Sequence, residues 1–302
     1  MTNEYERIDK NRSTKSIGRR VAGKIVWKYS SLWVRPTNET GEVSFSNFFR
    51  GLTGWLRVLP DFLILGIQKG GTTSLYNYLL AHPSIHVTHT KEIRYFDRNY
   101  DRGENWYRAN FPTVFSKFIS KRKGTPFIVG DASPDYLFHN IVPKKVKKDF
   151  PDIKLIVVLR NPVDRAYSHY NMKKTSDQET LSFEEAIKIH DSRIQKSWWD
   201  HHRFSYLKRG LYAEQLQHWF KFFPRKQFFI LETNQMEANP LQFYDNLCNF
   251  LEIERFQIDF TRYNVGKYSQ MNPETRKYLI KYFKPHNEKL YELLERKFDW
   301  DN

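Results

Sequence analysis

A single lysine, Lys69, stands between Gln68 and the pair Gly70-Gly71, and two threonines, Thr72 and Thr73, follow directly. A glycine turn that opens a helix offers free backbone N–H groups and a partial positive dipole, and a lysine beside it completes an anion site. A Walker A loop reads G-x-x-x-x-G-K-[ST]. Here Gly66 and Gly71 match that spacing, but Thr72 occupies the lysine position and Lys69 comes before the paired glycines. The loop therefore reads as one that holds a phosphate without being an ordinary ATP or GTP loop. A second set lies at Arg160-Asn161-Pro162, with Ser168 eight positions beyond the arginine. Asn161 is a good N-cap and Pro162 a good first helical residue, which puts Ser168 about 9 Å into the helix. An arginine fork and a hydroxyl so placed can hold one phosphate from two sides.

These residues need strands behind them and helices ahead. Apolar runs without alternation at 62–67, 127–130, 153–159 and 227–231 suit central parallel strands covered on both faces. Helical patterns fall at 73–81, 162–175, 182–191, 211–222 and 240–251. The alternation predicts an α/β fold: a single domain with a central, mostly parallel sheet flanked by helices and a P-loop-like nucleotide site, over residues 61–302. Residues 1–60 read as an N-terminal extension, partly disordered. Its segment 21–29 mixes lysines with large apolar groups, so the stretch 21–60 either packs on the protein or makes peripheral contact with a membrane. Near the C-terminus, Asn272-Pro273-Glu274 reads as a capped helix start running to about 283. Pro285 is expected to end that helix, with a second one from 286 to about 296.

Two phosphate grips without a Walker lysine resemble a known family. Gln68 to Thr73 looks like the 5′-phosphosulfate loop of sulfotransferases that use 3′-phosphoadenylyl sulfate (PAPS), and Arg160 through Ser168 is similar to that family's 3′-phosphate motif. Lys91-Glu92-Ile93-Arg94-Tyr95-Phe96-Asp97 resembles the Lys-Glu segment of the heparan-sulfate, carbohydrate-type branch, where the glutamate is the catalytic base. The runs Asp131 to Tyr136, Arg209 to Tyr212 and Asn264 to Trp300 are also similar to members of this superfamily. The resemblance implies PAPS as donor, adenosine 3′,5′-bisphosphate as product, no metal, and a carbohydrate or other polar or acidic acceptor. Transfer would be an in-line displacement onto a hydroxyl, less readily an amine. Lys69, with Thr72 and Thr73, would neutralise charge building on the leaving phosphate. Glu92 would take the acceptor's proton, provided that desolvation beside Tyr95 and Phe96 raises its pKa. Lys91 and Arg94 would orient the acceptor or the sulfuryl group. Lys267 and Tyr268 fall where the family closes a loop over PAPS, although the disulfide and the Lys-Gly-Arg run of that loop are missing here. His82, His86 and His89 are the alternative bases, and Trp198-Trp199 could stack on sugar rings or form core or lid.

Composition bounds the alternatives. The chain has 302 residues, 40% hydrophobic, with 49 basic against 34 acidic side chains and a formal charge of +15. That excess suits anionic small molecules or surfaces, but it is spread along the chain without a nucleic-acid motif, so nucleic acid is not an expected partner. One cysteine, Cys248, rules out an internal disulfide and fits a reducing compartment. With no signal-peptide pattern and no apolar run of about 20 residues, the cytoplasm is the expected location. The runner-up is a P-loop kinase of a small metabolite, which needs Mg²⁺ and a strand-end aspartate such as Asp131.

Overall fold

In the computed structural model of the chain, residues 50–88, 92–260 and 268–300 are described. Five parallel strands form one sheet in the order β2-β3-β1-β4-β5: β1 (Phe62–Gly66), β2 (Ile85–Val87), β3 (Ile128–Ala132), β4 (Lys154–Leu159) and β5 (Phe228–Glu232). Helix α1 (Thr72–Leu80) follows β1, α2 (Val114–Arg122) precedes β3, and α3 (Val142–Asp149) joins β3 to β4. After β4 come α4 (Pro162–Thr175), α5 (Trp198–Phe204) and α6 (Tyr212–Phe220), and after β5 come α7 (Pro240–Leu251) and α8 (Pro273–Leu294).

Burial on both faces explains why the strands lack alternation. Along β1, Leu63 and Leu65 enter one core with Trp106, Leu216, Trp219 and Leu290, while Phe62 and Ile64 enter the other with Leu75, Phe243 and Leu247. Each such side chain contributes about 1.5–3 kcal/mol on burial, so every position of the strand is held apolar. The short edge strand β2 escaped the sequence reading because three residues carry no period. The order also locates the site. The chain fills one side of β1 with β3 and β2, then crosses to β4 and β5, so the switch point lies at the carboxyl ends of β1 and β4. Ligands of open α/β sheets bind in that crevice.

Two expectations need correcting. Residues from Arg50 on belong to the domain, not to an extension: Arg50 Nε donates to the Ala109 carbonyl at 2.9 Å, Arg57 Nη1 to the Phe111 carbonyl at 2.9 Å, and Val58 is buried. Residues 1–49 lie outside the described residues, and with them most of the stretch expected to touch a membrane. Among the described residues no helix is long and apolar enough to cross one.

Pro285 does not end the last helix, which runs unbroken through it over 22 residues in all, Pro273–Leu294. Leu279, Phe283, Asn287 and Leu290 recur on one face and are all buried, whereas Pro285 lies on the exposed face. The cores on either side of the proline hold both halves in line, and water can satisfy the carbonyl it leaves free. Pro285→Ala is therefore expected to stabilise the fold by about 1–3 kcal/mol in urea unfolding. A loss of stability would show instead that the packing of Leu290 needs the proline's bend.

Candidate active site

The loop after β1 is shaped by close packing. Gly66 has φ +146°, and a Cβ there would lie 2.6 Å from the Pro134 carbonyl oxygen; one on Gly70 would lie 2.5 Å from Ile67 Cγ1 and 2.7 Å from the Val158 oxygen. Gly71, at φ +90°, caps α1 and supplies no side chain to the first turn's N–H groups. Lys69 is held in the left-handed region, at φ +69°.

Arg160, just past β4, donates from Nη1 to the Lys69 carbonyl at 3.1 Å, and its own carbonyl accepts from Tyr212 Oη at 2.9 Å. The Thr233 hydroxyl, directly after β5, lies 2.7 Å from the Gly70 carbonyl and 2.9 Å from that of Leu159, tying three strand ends together. Thr233 was missed in the sequence, where a threonine after a strand carries no signal of its own.

The structure thus brings Arg160 against the backbone of Lys69, in the loop that carries Gly70 and Gly71. Among the described residues neither Lys69 nor Arg160 has a carboxylate partner. The Lys69 ammonium is pushed below the usual lysine range, first by burial and then by the neighbouring Arg160 charge. Thr72 is buried at the start of α1, and Thr73 is half-buried beside it. Ser168 is buried on α4. Tyr268 packs edge-on against Tyr167 of the same helix, ring centroids 5.5 Å apart, so the segment beyond 267 lies against α4. Lys91, His89 and Lys267 are outside the described residues.

The second group lies off the carboxyl end of β3 and abuts the first across Gly66 and Pro134. Its centre is Asp135, which is buried. Arg209 Nη1 donates to Oδ1 at 2.6 Å, Arg94 Nη2 lies 2.7 Å from Oδ2, and His202 Nε2 is 3.6 Å from Oδ2. Burial alone would raise this carboxyl's pKa; the two guanidiniums overturn that and hold it well below the usual range.

Arg94 also reaches Glu92 at 3.4 Å, and its backbone N–H donates to Ser133 Oγ at 3.2 Å. Glu92 and Arg94 both adopt left-handed backbone, at φ +57° and +53°. Such φ values are costly for residues with a Cβ and cluster at functional sites. Arg94 therefore positions Glu92 through Asp135 and is less free to grip an acceptor than the sequence suggested. Tyr95 and Phe96, expected to shield Glu92, turn inward instead. Both rings are buried in the core, whereas the Glu92 side chain remains 38% exposed.

Around this centre Trp198 stacks on His202, rings 5.4 Å apart and 5° from parallel, and Arg98 lies 5.5 Å from the Trp198 ring. Asp97, missed in the sequence, has a buried carboxyl pushed up to about 6 by burial.

Several alternatives fall on geometry. His82 is buried, with Nε2 2.8 Å from the Glu254 carbonyl and Nδ1 accepting from Ser84 N at 3.0 Å, so both nitrogens are committed to structure. His86 stacks on Phe127 at 3.8 Å. Asp131, the aspartate a kinase would need for Mg²⁺, is fully buried and holds the Tyr107, Tyr136 and Ser133 hydroxyls at 3.0, 3.1 and 3.4 Å. Burial pushes its pKa up to about 7, so it is a structural acceptor closed to a metal.

One cluster of metal-ligand type occurs among the described residues: Asp135, His139 and His202, with ligand atoms within 4.8 Å of one another. The Asp135 carboxylate already serves Arg94 and Arg209, and a divalent ion would sit among guanidiniums. Those residues do not suit one.

Over residues 59–291 the chain matches the family model described as Sulfotransferase domain. It belongs to the sulfotransferase family. It is an enzyme that transfers sulfate. The chain is 29% identical to the Membrane-associated sulfotransferase kil1 of Dictyostelium discoideum, over 82% of this chain and 68% of that protein. It is 28% identical to Heparan sulfate glucosamine 3-O-sulfotransferase 5 of Mus musculus, over 80% of this chain and 74% of that one. Among solved structures, a sulfotransferase from Alicyclobacillus acidocaldarius superposes with a TM-score of 0.66 at 30% identity, covering 81% of this chain and 100% of that chain.

The sulfotransferase core carries histidines held neutral by burial: His139 is pushed down to about 3 and His202 to about 2. In the unfolded chain such groups take up protons below about 6.5, so their stabilisation is complete above that pH and is lost on acidification. Asp97, Asp131 and Asp149, raised by burial, act in the opposite sense. The histidines pushed down, His139, His169, His190, His201 and His202, outnumber them. The thermal midpoint should therefore fall as pH drops from about 7 to about 5. A midpoint that holds or rises over that range would contradict the neutral assignment.

Proposed function

We propose that this sulfotransferase takes its sulfuryl group from PAPS, releases adenosine 3′,5′-bisphosphate, and sulfates a hydroxyl of a carbohydrate or other polar, acidic acceptor. The observation that carries the reading is the pair Lys69 and Arg160, two cations without acid partners among the described residues, at the carboxyl ends of adjacent strands. A bisphosphate nucleotide offers one phosphate to each. Lys69, the Gly70-Gly71 turn, Thr72 and Thr73 would hold the 5′ side; Arg160 and Ser168 would hold the 3′-phosphate. Tyr268, and Lys267 before it, would close over the nucleotide. Relatives named for heparan sulfate support a carbohydrate acceptor, and the chain's formal charge of +15 fits an acidic one. An N-sulfotransferase among them keeps an amine acceptor as the less favoured variant.

In this reading the acceptor oxygen attacks sulfur as the S–O bond to the 5′-phosphate breaks. The electron pair of that bond goes to the leaving phosphate, where Lys69 offsets the growing charge without reorganising. The acceptor's proton passes to Glu92, which Arg94 holds in place from its anchor on Asp135. No metal takes part, so transfer survives chelation, whereas a phosphoryl-transfer kinase would lose activity. The lone buried thiol of Cys248 fits a cytoplasmic, reducing setting.

Glu92→Gln is expected to lower kcat by about 10²–10⁴-fold while the bisphosphate still raises the thermal midpoint. Lys69→Ala should weaken both binding and transfer. Normal transfer by Glu92→Gln would show that another group, Asp97 first among them, takes the proton.

A further inference from the structure

Helix α2 faces the wrong way for an ordinary surface helix. At 100° per residue Val114, Phe115, Phe118 and Ile119 fall on one stripe, which a globular domain normally buries. Here the helix has no buried residue; Phe115 is 67% exposed and Phe118 50%. The helix is held by its ends and by one ion pair rather than by a buried stripe. Lys117 reaches Asp61 at 3.7 Å, and Ser120 donates to the Thr125 carbonyl at 3.0 Å. Thr113 caps the helix, accepting from Ser116 N at 3.1 Å.

The apolar surface continues onto a neighbouring segment. Arg57 and Thr113 form an antiparallel backbone bridge, which sets the turn Gly54–Leu56 beside the start of α2. On that turn Trp55 is 67% exposed and Leu56 37%. The backbone there is fastened. Val58 N donates to the Pro112 carbonyl at 3.0 Å, and a Cβ on Gly54 would lie 2.4 Å from the Asn105 oxygen. The aromatic groups point outward from a fixed frame.

Charge selects the partner. Residues 113–123 hold Lys117, Lys121, Arg122 and Lys123 and no acid, and the Arg122 guanidinium lies 4.9 Å from the Phe118 ring centroid. A second copy of the chain would bring the same cations against these, which opposes self-association. Aromatic and aliphatic groups edged by cations match the interface of an anionic bilayer: the rings enter the headgroup boundary while the cations stay among lipid phosphates and carboxylates.

We propose that the face formed by Trp55, Leu56, Phe115, Phe118 and Ile119 docks the enzyme on an anionic membrane surface. Docking would hold the sulfotransferase at a lipid interface. The test is co-sedimentation of the full chain with phosphatidylcholine vesicles, with and without phosphatidylserine. Sedimentation with the phosphatidylserine vesicles is expected, weakened by salt. The doubly substituted Phe115→Ser, Phe118→Ser chain should partition about tenfold or more weakly with an unchanged thermal midpoint, since both rings are exposed. A wild-type chain that stays in the supernatant, or a variant that sediments as well as wild type, overturns the proposal. So does a wild-type dimer that the two substitutions convert to monomer, because the face is then a chain–chain interface.

Discussion

The hydrogen bond from Arg160 to the Lys69 carbonyl is the constraint on which the rest of the site depends. It fastens the loop after β1 to the end of β4 and brings the Arg160 charge near that of Lys69, with no acid paired to either among the described residues. Like charges held near one another and partly withdrawn from water repel. The lowered pKa of Lys69 records that strain, with burial as the larger cause and Arg160 as the second. A fold that holds such a pair in place gains by binding an anion with more than one phosphate, because each negative group removes a repulsion as well as making a contact. Thr233 and the glycines at 66, 70 and 71 give the pair its rigidity: they allow the loop to pack where any Cβ would collide or hold the backbone away from its favoured regions.

The acceptor side follows a different rule. There the charges are balanced through Asp135, whose two oxygens each take a guanidinium. Arg94 extends that balance to Glu92, so the proposed base depends for its position on a carboxylate it does not touch. The two halves meet at Gly66, where the absence of a side chain lets the Pro134 carbonyl close against β1. One half leaves its two cations without an acid partner among the described residues, and the other pairs its guanidiniums with carboxylates.

Much of this was legible because the signals were local. The glycines around Lys69, the Asn161-Pro162 helix start after Arg160 and the unalternating strands each lie within a few residues, and the structure places them as read. The expectations that failed involve long-range partners. Nothing near Asp135 in the chain announces Arg209, 74 residues on, or the stacking of His202 under Trp198. Asp131 looked available to a metal because its three hydroxyl partners, Tyr107, Tyr136 and Ser133, show only in the fold. His82 looked like a base because its partner, the Glu254 carbonyl, lies 172 residues away. Pro285 carried a correct local preference that two flanking cores overrode.

The central claim, that Lys69 and Arg160 divide one bisphosphate nucleotide between them, is tested most directly by calorimetric titration. Adenosine 3′,5′-bisphosphate and adenosine 5′-monophosphate would be compared on the wild-type chain and on Arg160→Ala. The account predicts that wild type favours the bisphosphate by about 10- to 100-fold, the worth of a charge-assisted pair. It also predicts that Arg160→Ala binds the two ligands nearly alike. A preference for the bisphosphate that survives Arg160→Ala unchanged would contradict it.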